Sequence, residues 1–430
     1  MFFLRKGKKK IKIVLFLLVV MIILFVSSSI SVGAEKIKIT VSIGSHGRFL
    51  LKDTIKAFES EYPNIKVEPL AISSVPNEAF QVYSTAFAAK DGSINILGLD
   101  PSWPAYMARA GWIEPLDNLL SQEDMEEVKR DFNKEALEIN TIKGKLYAIP
   151  LYADALLFYY RKDLLNKCGF EPPQTWGDLE KQVTSILSAE NDPNLSGYIY
   201  QAARIEGIVC NYVNFLSGTG GKILDENGKV LLESPESLEA LRFMTYMMKK
   251  GITPSTIVTH NPHDDAIQFQ NGQAIFMNNW PFAMGMFQKE GSPMKNKVGI
   301  SRMPGKYGPA ASCIGGVSLA INHYSKNKDA ALKFVRFITN YEWNKQRAIR
   351  SSLLPARTMV YEDPEVLSAN PSFNEIKKGA KYLTSRPKTE KYLEISYVLQ
   401  LHLNQALLSI ETPEEALHRA AEKIREILSE

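Results

Sequence analysis

Lys36-Ile37-Lys38-Ile39-Thr40-Val41-Ser42-Ile43 decides the fold class. Polar residues alternate with Ile and Val, the period-2 pattern of a strand that buries one face. Gly44-Ser45-His46-Gly47 ends it. A helix is predicted over about 49–60, where Leu51, Ile55 and Phe58 share a face, and Tyr62-Pro63-Asn64 breaks it. Residues 65–70 read as a second strand, followed by a helix over 78–89, a strand over 94–99 and a helix over 104–110. Strand and helix alternating in this order imply a parallel sheet covered by helices, an α/β fold.

Upstream, Arg5, Lys6, Lys8, Lys9, Lys10 and Lys12 precede the apolar run Ile13 to Val26, then Ser27-Ser28-Ser29 and Val32-Gly33-Ala34. Basic, apolar and small residues in that order make a secretory signal peptide, expected over 1–34. The fourteen uninterrupted apolar residues fall short of the roughly 20 that span a bilayer. Extension to Ile30 keeps an uncleaved anchor as the alternative. The first cysteine is Cys168, so acylation at a lipoprotein-type cysteine is excluded. The expected location is beyond the cytoplasmic membrane, periplasmic or at the cell surface. The leader carries six cations and no anions, so its removal takes the formal charge from +4 to −2, and no nucleic-acid partner is expected. Cys168, Cys210 and Cys313 cannot build a disulfide framework and none lies in a CxxC pair. Three buried free thiols are the expectation, with one bridge as the alternative.

Downstream, Leu146 to Tyr152 leads through Asp154 into the apolar stretch Ala155 to Tyr160. Helices are predicted over 175–187, 207–216 and 235–250, with a hairpin turn at Asp225-Glu226-Asn227-Gly228-Lys229. Strands follow at 298–302 and 316–321. Helices take 329–338, 343–350 and most of 390–430. Connections are short, so any two domains are closely tied.

No GxSxG, HExxH or phosphate-binding loop is present. Asp100 and Asp154 could formally serve as a glycosidase pair, which leaves no sequence motif. His260-Asn261-Pro262-His263-Asp264-Asp265 has spacing that permits metal coordination. It directly precedes a helix, however, and a cap by Asp264 or Asp265 explains it more simply. Tyr159 and Tyr160 are neighbours in a strand and point to opposite faces, which suits packing rather than a shared metal. No metal or cofactor is expected. Aromatic and polar residues meet at Asp100-Pro101-Ser102-Trp103, at Tyr152-Ala153-Asp154 and at Asn278-Asn279-Trp280-Pro281-Phe282. Positions just past the carboxyl ends of strands face the crevice of an open α/β sheet. A sugar presents C–H groups to an aromatic plane there, and hydroxyls to carboxylates and the Arg fork.

At these residues the sequence resembles the extracellular solute-binding proteins of ABC importers, in the sugar-binding group and closest to its trehalose/maltose-type branch. The matching pieces include Gly111-Trp112-Ile113-Glu114-Pro115-Leu116-Asp117, Tyr152-Ala153-Asp154-Ala155, Tyr159-Tyr160-Arg161-Lys162-Asp163-Leu164 and Pro172-Pro173-Gln174-Thr175-Trp176. Glu206-Gly207-Ile208-Val209-Cys210-Asn211, Asn279-Trp280-Pro281, Leu354-Pro355-Ala356-Arg357 and Ser385-Arg386-Pro387 continue them in order. The resemblance implies a two-lobed periplasmic-binding-protein fold of type II character, each lobe a sheet flanked by helices, joined by a multi-segment hinge. The expected parts are 35–150 and 299–325 for the N-lobe, and 151–298 and 326–430 for the C-lobe. Crossings are expected near Ile149–Asp154, Lys297–Arg302 and Asn322–Asp329.

Carried over by residue, the resemblance implies ligand contacts from Asp100, Trp103, Tyr152, Asp154, Trp280, Gly315, Gly316 and Arg386, with Trp280 stacked under a ring. The first-strand loop adds Ser45 and His46. There are departures from the branch pattern. Val317 rather than Trp follows the double glycine, and Met284 replaces a second Trp. The first-strand loop has Gly44-Ser45-His46-Gly47-Arg48 where a carboxylate is common, and 73–83 lacks an expected Arg. His46 and Arg48 suit a different or anionic glycoside, or are solvated loop residues. The expected function is non-enzymatic capture of a di- or small oligosaccharide or glycoside, as a monomer, for delivery to membrane permease subunits. An exported glycoside hydrolase and a sugar-sensing receptor of the same fold are the alternatives.

Overall fold

A computed structural model describes residues 36–44, 48, 50–73, 75–379 and 382–430. The expected signal peptide, Ser45 and His46 lie outside the described residues. Strand β1 (Ile37–Ile43) buries Ile39, Val41 and Ile43 as its alternation requires. The other strands of the first sheet are β2 (Ile65–Ala71), β3 (Ile96–Leu99), β4 (Ala148–Tyr152) and Val317–Ile321. The second sheet holds β5 (Leu157–Arg161), β6 (Ser196–Ile199), β7 (Ala274–Asn279) and β8 (Val298–Ser301). With the short β9 (Ser312–Cys313) counted, Val317–Ile321 is β10, and Leu383–Thr384 is β11.

The first sheet runs in the order β2-β1-β3-β10-β4 and the second β8-β5-β7-β6. β1 is parallel to β2 and β3, as alternation with helices implies, but β10 is antiparallel to both β3 and β4. The reason is topological: β10 enters this sheet from the other lobe and runs against its neighbours. The second sheet is also mixed, since only β6 and β7 are parallel. Helices α1 (Leu51–Glu61) and α2 (Pro76–Ala88) belong to the first lobe, and α3 (Glu206–Ser217) and α4 (Pro262–Gln270) to the second. Helix α5 (Lys328–Ile338) returns to the first lobe, where Phe334 and Phe337 pack edge-on against Phe58. The last two helices, α6 (Tyr392–Leu407) and α7 (Pro413–Ser429), pack on each other and on the second lobe. A Thr412–Glu415 capping box starts α7.

Two expected boundaries shift. Residues 299–301 belong to the second sheet, because β8 pairs with β5 from Val298↔Arg161 to Ser301↔Phe158. The chain does not leave the first lobe near Asn322–Asp329: the Asn322 amide donates to the Asp91 and Ile94 carbonyls, both at 2.9 Å, and α5 follows on the same lobe. Alternation identifies a strand but not the sheet it joins. The observed crossings come together as a ribbon. Residues 154–156 pair antiparallel with 313–315 through Gly315 N–H to Asp154 O (2.8 Å) and Leu156 N–H to Cys313 O (3.0 Å). β11 then lies parallel beside β9.

The three thiols are free, with Cys210 and Cys313 buried. Tyr159 is buried and donates its hydroxyl to the Trp280 carbonyl at 2.8 Å. Tyr160 lies on the opposite face, over Gly299. Among the described residues, no helix is long and apolar enough to cross a membrane.

Candidate functional site

The carboxyl end of β3 delivers Asp100 into a tight turn, where Ser102 donates its N–H (2.9 Å) and hydroxyl (2.6 Å) to Oδ1. The same oxygen receives Arg386 Nη1 at 3.2 Å. Arg386 follows β11 on the second-lobe side and is buried, so this ion pair spans the lobes. Its Nη1 also donates to Glu206 Oε1 at 2.9 Å. Glu206 stands in the first turn of α3, where a carboxylate is favoured by the helix dipole. Its remaining acceptor capacity is filled by Tyr392 OH (2.5 Å), the Ser396 hydroxyl and Gln400 Nε2 (3.4 Å). Gln400 Oε1 accepts from Asn77 Nδ2 at 3.0 Å, a second contact from the first lobe. Two carboxylates therefore hold one guanidinium, and a fan of neutral donors holds the inner carboxylate.

Tyr152 closes β4 and Asp154 follows on the ribbon. Asp154 Oδ1 accepts the Leu354 N–H at 3.2 Å. Burial pushes its carboxyl up to about 7, and that single hydrogen bond offsets only part of the rise. The double glycine is a spatial requirement. A Cβ on Gly315 would sit 2.2 Å from the Trp280 ring, and one on Gly316 2.5 Å from the Tyr152 carbonyl, at a φ of 120° that also suits glycine. The Trp280 ring thus lies on bare backbone at the end of β7, and the residue's backbone N–H donates to Asn279 Oδ1 at 2.8 Å. These residues enclose a cavity of about 220 Å³ between the lobes.

Asp100, Tyr152, Asp154, Trp280, Gly315, Gly316 and Arg386 all line that cavity. Trp103 does not. It is 3 % exposed and packs in the first lobe's core against Phe80 and Tyr83, with ring centroids 5.7 and 6.0 Å away. Pro104 begins a helix directly after it, and the turn swings the indole inward. Sequence reasoning missed Glu206 and the loop Asn261-Pro262-His263, which also form the wall. In that loop the helix-cap reading holds with a different residue. Asn261 is the cap, accepting from the N–H groups of His263 (2.8 Å) and Asp264 (3.2 Å), while Asp264 answers Asn261 N–H at 2.9 Å. Asp265 is buried against His260 Nδ1 at 2.9 Å. Among the described residues no cluster has the makings of a metal site.

Residues 42–345 match the family described as bacterial extracellular solute-binding protein. The chain belongs to that family. A relative from Deinococcus radiodurans, named "Probable ABC transporter-binding protein", is 32% identical over 354 residues, covering 80% of this chain and 83% of its own. Among solved structures, maltose-bound MalE3 of T. maritima superimposes with a TM-score of 0.85 at 35% identity, over 91% of this chain and 100% of that one. A solute-binding protein of Thermotoga lettingae TMO bound to α-D-tagatose gives 0.81 at 25% identity, over 92% and 100%. Solute-binding proteins of this family are non-enzymatic components of ABC transporters that work outside the cytoplasm. The glycosidase alternative for Asp100 and Asp154 is thereby set aside. The two-lobed α/β fold is that of the MalE-type structures.

Proposed function

We propose that this protein captures a sugar or sugar alcohol of mono- to disaccharide size and presents it to the permease of an ABC importer. The observation that carries the reading is the Asp100–Arg386 pair. It places a hydroxyl acceptor and a hydroxyl donor, from different lobes, beside an exposed edge of Trp280 in one cavity. The ring-and-hydroxyl chemistry of a sugar matches that combination. Maltose and tagatose in the two similar structures support the class. The cavity of about 220 Å³ lies under the roughly 300 Å³ at which small-molecule sites usually begin, which favours the small end of the expected range over an oligosaccharide.

In this reading the ligand binds one lobe and rotation about the 154–156 and 313–315 ribbon brings the other lobe's groups onto it. Closure follows from the ligand's higher affinity for the closed form. The closed surface, spanning both lobes of a monomer, docks on the membrane permease. The protein works in a periplasm-like space or at the cell surface, free or held by its uncleaved leader. The test is a thermal-shift screen of maltose, trehalose, glucose, tagatose, mannitol and glucuronate, followed by calorimetry on any hit. At least one neutral sugar or polyol should raise the melting temperature and bind at micromolar Kd, about −8 kcal/mol, without turnover. Stabilisation by a peptide or metal ion and by no sugar would overturn the reading.

A further inference from the structure

A second cavity, of about 600 Å³, lies behind the hinge ribbon. It shares a single lining residue with the cleft cavity, Asp154. The Asp154 carboxylate accepts from the Leu354 N–H, and Leu354 is itself part of the rear wall. Tyr152 lines the cleft, whereas Ala153 and Ala155 line the rear. The rear volume falls within the range of about 300–1,000 Å³ usual for small-molecule sites. Its walls come from both lobes, with Glu135 on one side and Leu157, Ser301 and Arg302 on the other.

The charges of this cavity are one-sided. Asp154 is 7% exposed, and only one of its carboxylate oxygens has a protein partner among the described residues. Glu135, Glu362 and Glu375 add three further carboxylates to the wall, and Tyr361 an aromatic ring. The cationic wall residue, Arg302, is held in place, although its Nε has no hydrogen-bond partner among the described residues. Its guanidinium lies 3.6 Å from the centre of the Tyr382 ring, and Nη2 donates to the Pro309 carbonyl at 2.9 Å. A buried carboxylate beside apolar and aromatic surface is complementary to an ammonium group on an apolar body.

We propose that the rear cavity is a second binding site, for a small organic cation whose ammonium pairs with Asp154 and whose apolar body lies between Leu157 and Tyr361. Because Asp154 also faces the cleft, an ammonium behind it holds the carboxylate ionised and ready to accept a hydroxyl from the front. The walls belong to different lobes, so the site changes shape with the lobe angle, and the two ligands are coupled through that equilibrium.

The test is calorimetric titration of the protein, near neutral pH, with phenethylammonium, phenylacetate and phenethyl alcohol. The expected result is one saturable site for phenethylammonium, with the anion and the alcohol at least about tenfold weaker. Ser301→Trp, which fills the cavity, and Tyr361→Ala should each weaken the ammonium compound about tenfold or more, while Trp280→Ala in the cleft leaves it unchanged. Circular dichroism melts establish that each variant is folded, and Ser301→Phe or Tyr361→Leu replaces one that is not. Absence of binding up to about 10 mM overturns the proposal. Equal binding of the alcohol does so too, as does loss in Trp280→Ala with retention in Ser301→Trp, which would put the probe in the cleft.

Discussion

Arg386 uses one nitrogen for two carboxylates, and those two differ in what else holds them. Asp100 is held in its turn by Ser102 and lies partly open to the cavity, with a fifth of its side chain exposed. Glu206 is buried, and all its acceptor capacity goes to protein donors. Neutralising each should therefore have a different signature. Asp100→Asn loses the charged contact across the lobes and the cavity's best hydroxyl acceptor, at about 1.5–3 kcal/mol of ligand affinity. Its melting temperature should hardly move. Glu206→Gln places an amide N–H₂ among donors and leaves the buried guanidinium short of one carboxylate. Breaking a buried pair costs about 3–5 kcal/mol, so this variant should melt earlier as well as bind more weakly. Calorimetry and thermal melts on the two variants check the contrast. Equal melting temperatures would mean that Glu206 does not position Arg386.

At the scale of elements, the segment between β9 and β10 shows how close packing shapes the cleft. Gly315 lets the Trp280 indole lie against backbone, and any Cβ there would stand 2.2 Å from the ring. Gly315→Ala should displace the indole, with an overpacking cost of about 1–3 kcal/mol and loss of most sugar affinity. A blue-to-red shift in tryptophan fluorescence, read beside the calorimetry, would report the move. The same segment marks the limit of what sequence conveys. The alternation of β1 is a local signal, and the strand stands where expected. That β10 joins the first sheet antiparallel, and β8 the second, depends on partners more than a hundred residues away. Glu206 escaped notice as a site residue for the same reason: Tyr392, Ser396 and Gln400 give it meaning, and they lie on α6. An aromatic residue after a strand can turn either way, and the proline-started helix that follows Trp103 turns it into the core.

For the whole molecule, the telling group is Asp154, placed where the chain first passes between lobes and walled by a cavity on either side. Its carboxyl is raised by burial from 3.8 to about 7, the reverse of the usual carboxylate shift, and the sign of its pH effect reverses too. Between those values the folded protein holds a proton that the unfolded chain has released. Stability therefore falls as pH rises through this window, with a slope approaching 1.4 kcal/mol per pH unit. Below about 4 the group costs nothing, and above about 7 the cost is complete. Asp154→Asn removes the dependence. Denaturant melts of both proteins at intervals from acid to mildly alkaline pH should show the variant gaining on the native protein by roughly 2–3 kcal/mol from pH 5 to 7. Ligand binding should run the other way. A hydroxyl donates best to the ionised carboxylate, so the native protein should bind its sugar more tightly as the pH rises to about 7 and beyond, and the Asn variant should bind weakly at every pH. Parallel stability curves for the two proteins would mean that Asp154 is already ionised by contacts from the cleft or the rear cavity.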